Sequence, residues 1–275
     1  MVVRAAGVVV VALALTASHP PEQDPGLAAE RKNYLEWLTT APTSPLAAVA
    51  MRRLDVSVTL GPESADIPLP GFGPATVTEA RGAVTLTGAD GRARALPRNR
   101  PTVIAPWTLQ VTGAPGMSVL TIFGPVRQGT TAYFAPNASW SYVLSLQPPA
   151  SAERRRVLTL DGIEVEGELA GYLELPGAPP TARLQVLRLP VPGTEETELQ
   201  VYFRDATSGR GSYPAGRFVE IVPVAGGRFR IDFNRARNPF CAYSSVYACP
   251  VPWPGNSIKA EVTAGERYLP AAPHD

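Results

Sequence analysis

The 275-residue chain carries 25 basic and 24 acidic side chains, for a net charge of +1, together with 30 prolines and 24 glycines. So even a charge balance gives no basis for nucleic-acid binding or for an acidic substrate, and so much Pro and Gly argues against long helices and for short strands joined by turns. The length is enough for one large or two small domains whose core needs no staples.

The first elements in chain order are a targeting segment and a helix. Arg4 precedes the apolar run Ala5–Leu15, broken only by Gly7, and Thr16, Ala17 and Ser18 are the small residues a signal peptidase requires. This pattern predicts a cleaved secretory signal over 1–18, with the mature chain starting near His19 in the periplasm, cell envelope or medium. An uncleaved membrane anchor is the alternative, although the run is short for a membrane helix and Pro20 and Pro21 follow at once. Asp24-Pro25 is a suitable cap and first residue for a helix over 24–40, with Leu27, Tyr34, Leu35 and Leu38 on one face.

Beyond the helix the chain reads as strands. Leu54, Val56, Val58 and Leu60 alternate with Asp55, Ser57 and Thr59, and Trp140, Tyr142, Leu144 and Leu146 with Ser141, Val143 and Ser145, which predicts half-buried antiparallel strands. Asp90-Gly91, Asp161-Gly162 and Gly226-Gly227 are hairpin signals. Residues 61–75 and 176–181 are Pro/Gly-rich loops, and the Gln147–Ala152 stretch is the best boundary between β halves at 52–148 and 155–270, unless the two form one continuous domain. Asn137-Ala138-Ser139 fits a glycosylation sequon, a pattern short enough to arise by chance. The expected fold is all-β, mainly antiparallel, packed as a sandwich or as two β lobes with one short N-terminal helix.

Exclusions are sharper than any positive functional signal. The two histidines, His19 and His274, lie beside the signal segment and next to the last residue. A Ser-His-Asp triad, a Cys-His pair and a His-ligated zinc are therefore disfavoured, two cysteines cannot make a four-thiolate site, and no phosphate-binding Gly-rich motif is present. No metal, cofactor or nucleic-acid partner is expected.

The last quarter is the polar part of the chain. Leu199, Val201 and Phe203 alternate toward a core, so that Gln200, Tyr202 and Arg204 point the other way. Asp205, Thr207 and Ser208 then break the strand with side chains that close backbone turns. Tyr213 and Gly216 lead into Arg217, a candidate partner for Asp205 or Asp232. Phe229, Ile231 and Phe233 alternate, which puts Arg230, Asp232 and Asn234 on the opposite face of one strand. Asn238-Pro239 turns the chain, and Glu266 follows Gly265 in a capping or ion-pairing role. Cys241 and Cys249 are a candidate disulfide in an exported chain, with a pair of reduced thiols as the alternative. The candidate binding set is Arg204, Asp205, Thr207, Ser208, Tyr213, Arg217, Asp232, Asn234, Asn238 and Glu266. Three readings stay open: a module binding a small molecule or glycan, a His-independent hydrolase with Asp232 or Glu266 as base and Arg204 or Arg217 as anion stabiliser, and a purely structural block.

The segments YFRDATSG, SYPAGRF, DFNRARNPFCAY, YACPVP, Asn256 and AGER together resemble the bacterial domain-of-unknown-function family 1684, densely over Leu199–Tyr268. Arg31–Leu38, Phe134–Trp140 and Glu168–Leu175 are compatible with the same family. The chain departs from its pattern at Arg237, where an aromatic is usual, and at Phe240, where a second Pro is usual. The family has no established activity, so the resemblance implies a relative without a role.

Overall fold

The short alternating segments and their turns build four antiparallel-rich sheets, described in a computed structural model over residues 25–176, 182–253 and 255–269. The predicted signal at 1–18, Asp24, both histidines and most of the 176–181 loop lie outside these residues. One α-helix, α1 (Pro25–Thr40), precedes the strands. Leu27, Tyr34 and Leu38 are buried, but Leu35 is 36% exposed and does not share their face. Among the described residues no helix is long and apolar enough to cross a membrane.

Nine strands follow: β1 (Ala48–Arg53), β2 (Val58–Gly61), β3 (Ile67–Pro68), β4 (Ala75–Ala80), β5 (Ala83–Gly88), β6 (Ala93–Ala95), β7 (Thr102–Ile104), β8 (Trp107–Thr112) and β9 (Val119–Phe123). They form sheets of order β3-β2-β4-β5-β6 and β1-β9-β8-β7. Leu60, Val77, Leu109, Leu120 and Ile122 share one core. The run Leu54–Leu60 is not the single strand its alternation predicts. A turn separates β1 from β2, and Val56 is 73% exposed, because period two also fits a bend whose residues face water.

The second group comprises β10 (Ala132–Tyr133), β11 (Ser141–Leu144), β12 (Arg154–Leu158), β13 (Glu164–Leu175), β14 (Ala182–Pro190), β15 (Thr197–Asp205), β16 (Arg217–Val224), β17 (Arg228–Asp232), β18 (Ser257–Ile258) and β19 (Glu266–Arg267). The large sheet runs β11-β17-β16-β15-β14-β13-β12, β18 joins β15, and β10 pairs β19. All three hairpin signals fall between paired strands: β5–β6, β12–β13 and β16–β17. Strand β11 precedes the Gln147–Ala152 stretch and pairs with β17 beyond it.

The large sheet closes on itself. Gln147, just after β11, exchanges two backbone hydrogen bonds of 2.9 and 2.8 Å with Tyr172 of β13. Gly171 permits this approach, since its φ is +154° and a Cβ there would lie 2.4 Å from the Gln147 carbonyl oxygen. The six strands from β11 round to β13 thus form a barrel filled by Leu173, Leu184, Val201, Phe203, Ile221 and Ile231. Alternation along β15, β16 and β17 sends Glu198, Gln200, Tyr202, Phe218, Glu220, Arg230 and Asp232 to the outside of the barrel. There Tyr202 and Phe218 are covered by Trp253, and the rest form the floor beneath α1.

Candidate functional site

The candidate residues separate into a sealed network and an open cleft. The network centres on Arg217, whose side chain is fully buried. Its Nη2 donates to Asp205 Oδ2 and to the Val262 carbonyl, both at 2.9 Å. Its Nη1 donates to the carbonyls of Ala264 and Glu266, and Nε has no partner. Of the two sequence candidates, Asp205 is therefore the carboxylate that pairs with Arg217. Burial lowers the Arg217 pKa and Asp205 opposes that shift. Asp205 Oδ1 also accepts from the Thr207 N–H at 2.7 Å, the Thr207 hydroxyl at 2.6 Å and the Val262 N–H at 3.3 Å. Ser208 Oγ accepts from the Asp205 N–H at 3.2 Å. Gly216 lets the strand re-enter here, with φ +111° and a hypothetical Cβ 2.4 Å from the Phe203 oxygen.

Glu266 lies on β19 one step further and is fully buried. It accepts the Thr131 hydroxyl at Oε1 and the Asn238 N–H at 2.7 Å at Oε2. It makes no ion pair among the described residues, so of the two roles read from its turn the ion-pairing one is not found, and the carboxylate instead accepts a backbone N–H. The dominant cause of its pKa, raised to about 7, is removal from water. Asn238 also donates to the Arg267 carbonyl at 3.0 Å. Asn234 is not on the strand with Arg230 and Asp232. The strand ends at Asp232, and Asn234 sits in a 3-10 turn, exchanging hydrogen bonds of 2.8 and 3.0 Å with the Asn137 backbone. The α1 side chain Arg31 donates to the Asn234 carbonyl at 3.0 Å and lies 4.4 Å over the Tyr133 ring.

Arg204 is exposed at the end of β15 and does not line the cleft, and its backbone N–H donates to the Asn256 carbonyl at 2.9 Å. Asp232 bonds Asn234 and Arg235, whereas Glu266 bonds Thr131 and Asn238, so the two candidate bases serve different segments. Cys241 and Cys249 form a disulfide with Cα atoms 5.6 Å apart, and the Tyr213 hydroxyl donates to the Cys241 carbonyl at 3.2 Å. Cys249 is exposed, so thiol reductant should open the bridge in the native state. On the chain-entropy model its loss is expected to cost about 2–3 kcal/mol, read as a lower denaturant midpoint with reductant. An unchanged midpoint would show that the bridge does not stabilise this corner.

The cleft lies between α1 and the outside of the barrel. One part, of about 480 Å³, is lined by Glu198, Gln200, Glu220, Val222, Arg230 and Asp232 of the floor and by Arg235. A second part, of about 670 Å³, runs along α1 past Asn33, Trp37 and Phe240, and Glu30, Leu160 and Arg237 line both. Glu30 pairs with Arg235 and, at 2.8 Å, with Arg237, whose guanidinium sits 4.7 Å over the Tyr34 ring. Arg235 also reaches Asp232 at 3.5 Å. Trp37 and Phe240 pack with ring centroids 5.8 Å apart. Gln200 Nε2 donates to Glu198 Oε1 at 2.7 Å, which leaves Gln200 Oε1 buried without a donor. Burial, then the neighbouring Glu220 and Asp161, raises the Glu198 pKa.

Of the sequence candidates only Asp232 faces this cleft. Glu30, Trp37, Glu198, Glu220, Arg235 and Arg237 were missed as site residues. The alternation that sends Gln200 outward extends back to Glu198, the one signal that pointed to it. Arg237 and Phe240, the two departures from the motif pattern, both line the cleft. Among the described residues no group of three or more His, Cys, Asp or Glu side chains is placed to hold a metal ion.

These features define an all-β protein with one helix laid over a charged barrel face. The family model for "Protein of unknown function (DUF1684)" matches residues 129–267, and the chain belongs to that family. An uncharacterised protein of Haloarcula marismortui, known from a solution NMR structure, is 32% identical over 50% of this chain and 76% of its own, with a TM-score of 0.42. No curated protein matches the chain.

Proposed function

We propose that this chain is an exported module that binds a small molecule or glycan, and that the ligand occupies the cleft between α1 and the outer face of β15–β17. The observation that carries this reading is the contrast between the two groups of polar residues. Asp205, Arg217, Asn234, Asn238 and Glu266 are buried and engaged with their own backbone, which makes them the support of the corner. Arg230 and Glu220 are exposed and make no ion pair among the described residues, in a depression of about 480 Å³ that continues along an aromatic wall. Size, apolar wall and a few convergent polar groups are what small-molecule sites share. Export is supported by the 1–18 pattern and by the disulfide.

A thermal-shift screen of the chain against sugars, amines, carboxylates and phosphorylated metabolites tests this reading. One ligand class is expected to raise Tm by several degrees, and Trp37→Ala and Glu220→Ala are each expected to remove that rise. A ligand whose effect survives both substitutions would place binding elsewhere, and silence across all four classes would sink the proposal.

A further inference from the structure

The cleft is not electrically uniform, and its unbalanced part points to a class of ligand. Arg235 and Arg237 spend their charge on Glu30 and Asp232. Glu198 and Glu220, by contrast, have no cationic partner among the described residues. The strand register makes them near neighbours. Gln200 stands directly opposite Glu220 across β15 and β16, and Glu198 lies two residues along the same face. The Gln200 amide nitrogen donates to Glu198, which leaves its Oε1 as a buried acceptor on the same face. Three acceptor groups, two of them charged, thus line one part of the cleft, and neither carboxylate has a described cationic partner. An ammonium group has three N–H donors, one charge and no acceptor, and so complements such a set. Arg230 lies at the exposed end, two strands away from Glu198, and leaves the balance of unpaired charge negative. Leu160 borders this pole and also lines the second part of the cleft, where Trp37 and Phe240 form an apolar wall.

Resting on the cleft reading above, we infer that the ligand is a primary amine attached to a flat apolar body, its ammonium held by Glu198, Glu220 and Gln200 and its body laid against Trp37 and Phe240. The opposite polarity, an anionic ligand held by Arg230, is the competing outcome.

Isothermal titration with three indoles of similar size separates these cases: tryptamine as the ammonium, indole-3-propionate as the carboxylate, and indole as the neutral body. Tryptamine is expected to bind about tenfold or more tightly than either of the others, because a charge-assisted hydrogen bond separates them. Glu198→Gln with Glu220→Gln is expected to abolish that preference while the unliganded Tm holds or rises, since the substitution relieves a like-charge pair. If indole-3-propionate binds more tightly and loses its affinity in Arg230→Ala, the cleft is the site and the amine assignment is wrong. If all three bind equally and weaken together in Trp37→Ala, the apolar wall alone binds and the amine assignment again fails. If none of the three binds, the amine assignment is overturned, and the four-class screen decides the cleft separately.

Discussion

Replacing Arg217 by Met is expected to destabilise the fold by about 3–5 kcal/mol, the usual consequence of removing one member of a buried ion pair. The substitution fills similar space but leaves the Asp205 carboxylate sealed without its cation. It also strips donors from the carbonyls of Val262, Ala264 and Glu266, which the guanidinium gathers into one corner. Arg217→Lys is expected to lose less but still measurably, because a point ammonium with three donors cannot span four acceptors arranged for a planar fork. Chemical denaturation of the three proteins gives the result directly. A Met variant within about 1 kcal/mol of the native protein would mean that the pair contributes nothing net and that the corner is held by its hairpins alone. The same substitution separates scaffold from site, because Arg217 makes no contact with the cleft under α1.

The second large effect is a pH dependence set by Glu266. Its carboxyl titrates in the native state near pH 7 because burial dominates, while Thr131, Asn238, Arg237 and Arg217 partly offset it and the neighbouring Tyr34 and Tyr133 lie beside it. In the unfolded chain it titrates near the ordinary value of 4.5. Below that value both states are protonated and the fold keeps its full stability. Between the two values only the native state holds the proton, so stability falls as pH rises and the loss is complete above about 7. The shift corresponds to about 3 kcal/mol. The protonated form keeps both hydrogen bonds, since Oε1–H donates to Thr131 while Oε2 accepts from Asn238. Glutamine reproduces that pattern with its amide turned to give Nε2–H to Thr131. Glu266→Gln is therefore expected to match the native protein at pH 4 and to exceed it by about 3 kcal/mol at pH 8, measured by denaturation at both pH values. Parallel stability profiles for the two proteins would show that Glu266 is charged at no such cost, through water reaching it or through a cation drawn close.

Local chemistry was legible in the residues themselves. Period-two alternation placed Leu199, Val201 and Phe203 on the core side of β15, because a strand alternates whatever it packs against. Asp-Gly and Gly-Gly pairs marked three hairpins, because few other residues tolerate the required backbone. The turn at Asp205 was readable because its partners Thr207 and Ser208 are two and three residues away. The family was legible over the last quarter, where short motifs follow one another in order, and the cysteine pair was legible from its spacing. Alternation misled at Leu54–Leu60, where the same pattern describes a bend, and at Asn234, where the strand stops two residues early.

What the amino-acid sequence by itself determined, then, is the class of fold, its turns and its polar corner, all of which depend on neighbours a few residues apart. Tertiary structure alone decided that Asp205, not Asp232, is the partner of Arg217, that Glu266 makes no ion pair among the described residues, and that the polar corner is a sealed support. It alone brought Glu30 of α1 to Arg237 across 207 residues of chain and so made a cleft from residues that carry no shared local pattern. The physical reason is common to these cases. Burial and partnership are set by which distant segments pack together, and a single side chain such as Glu266 has the same local sequence whether its carboxyl ends in water, beside an arginine or inside the protein.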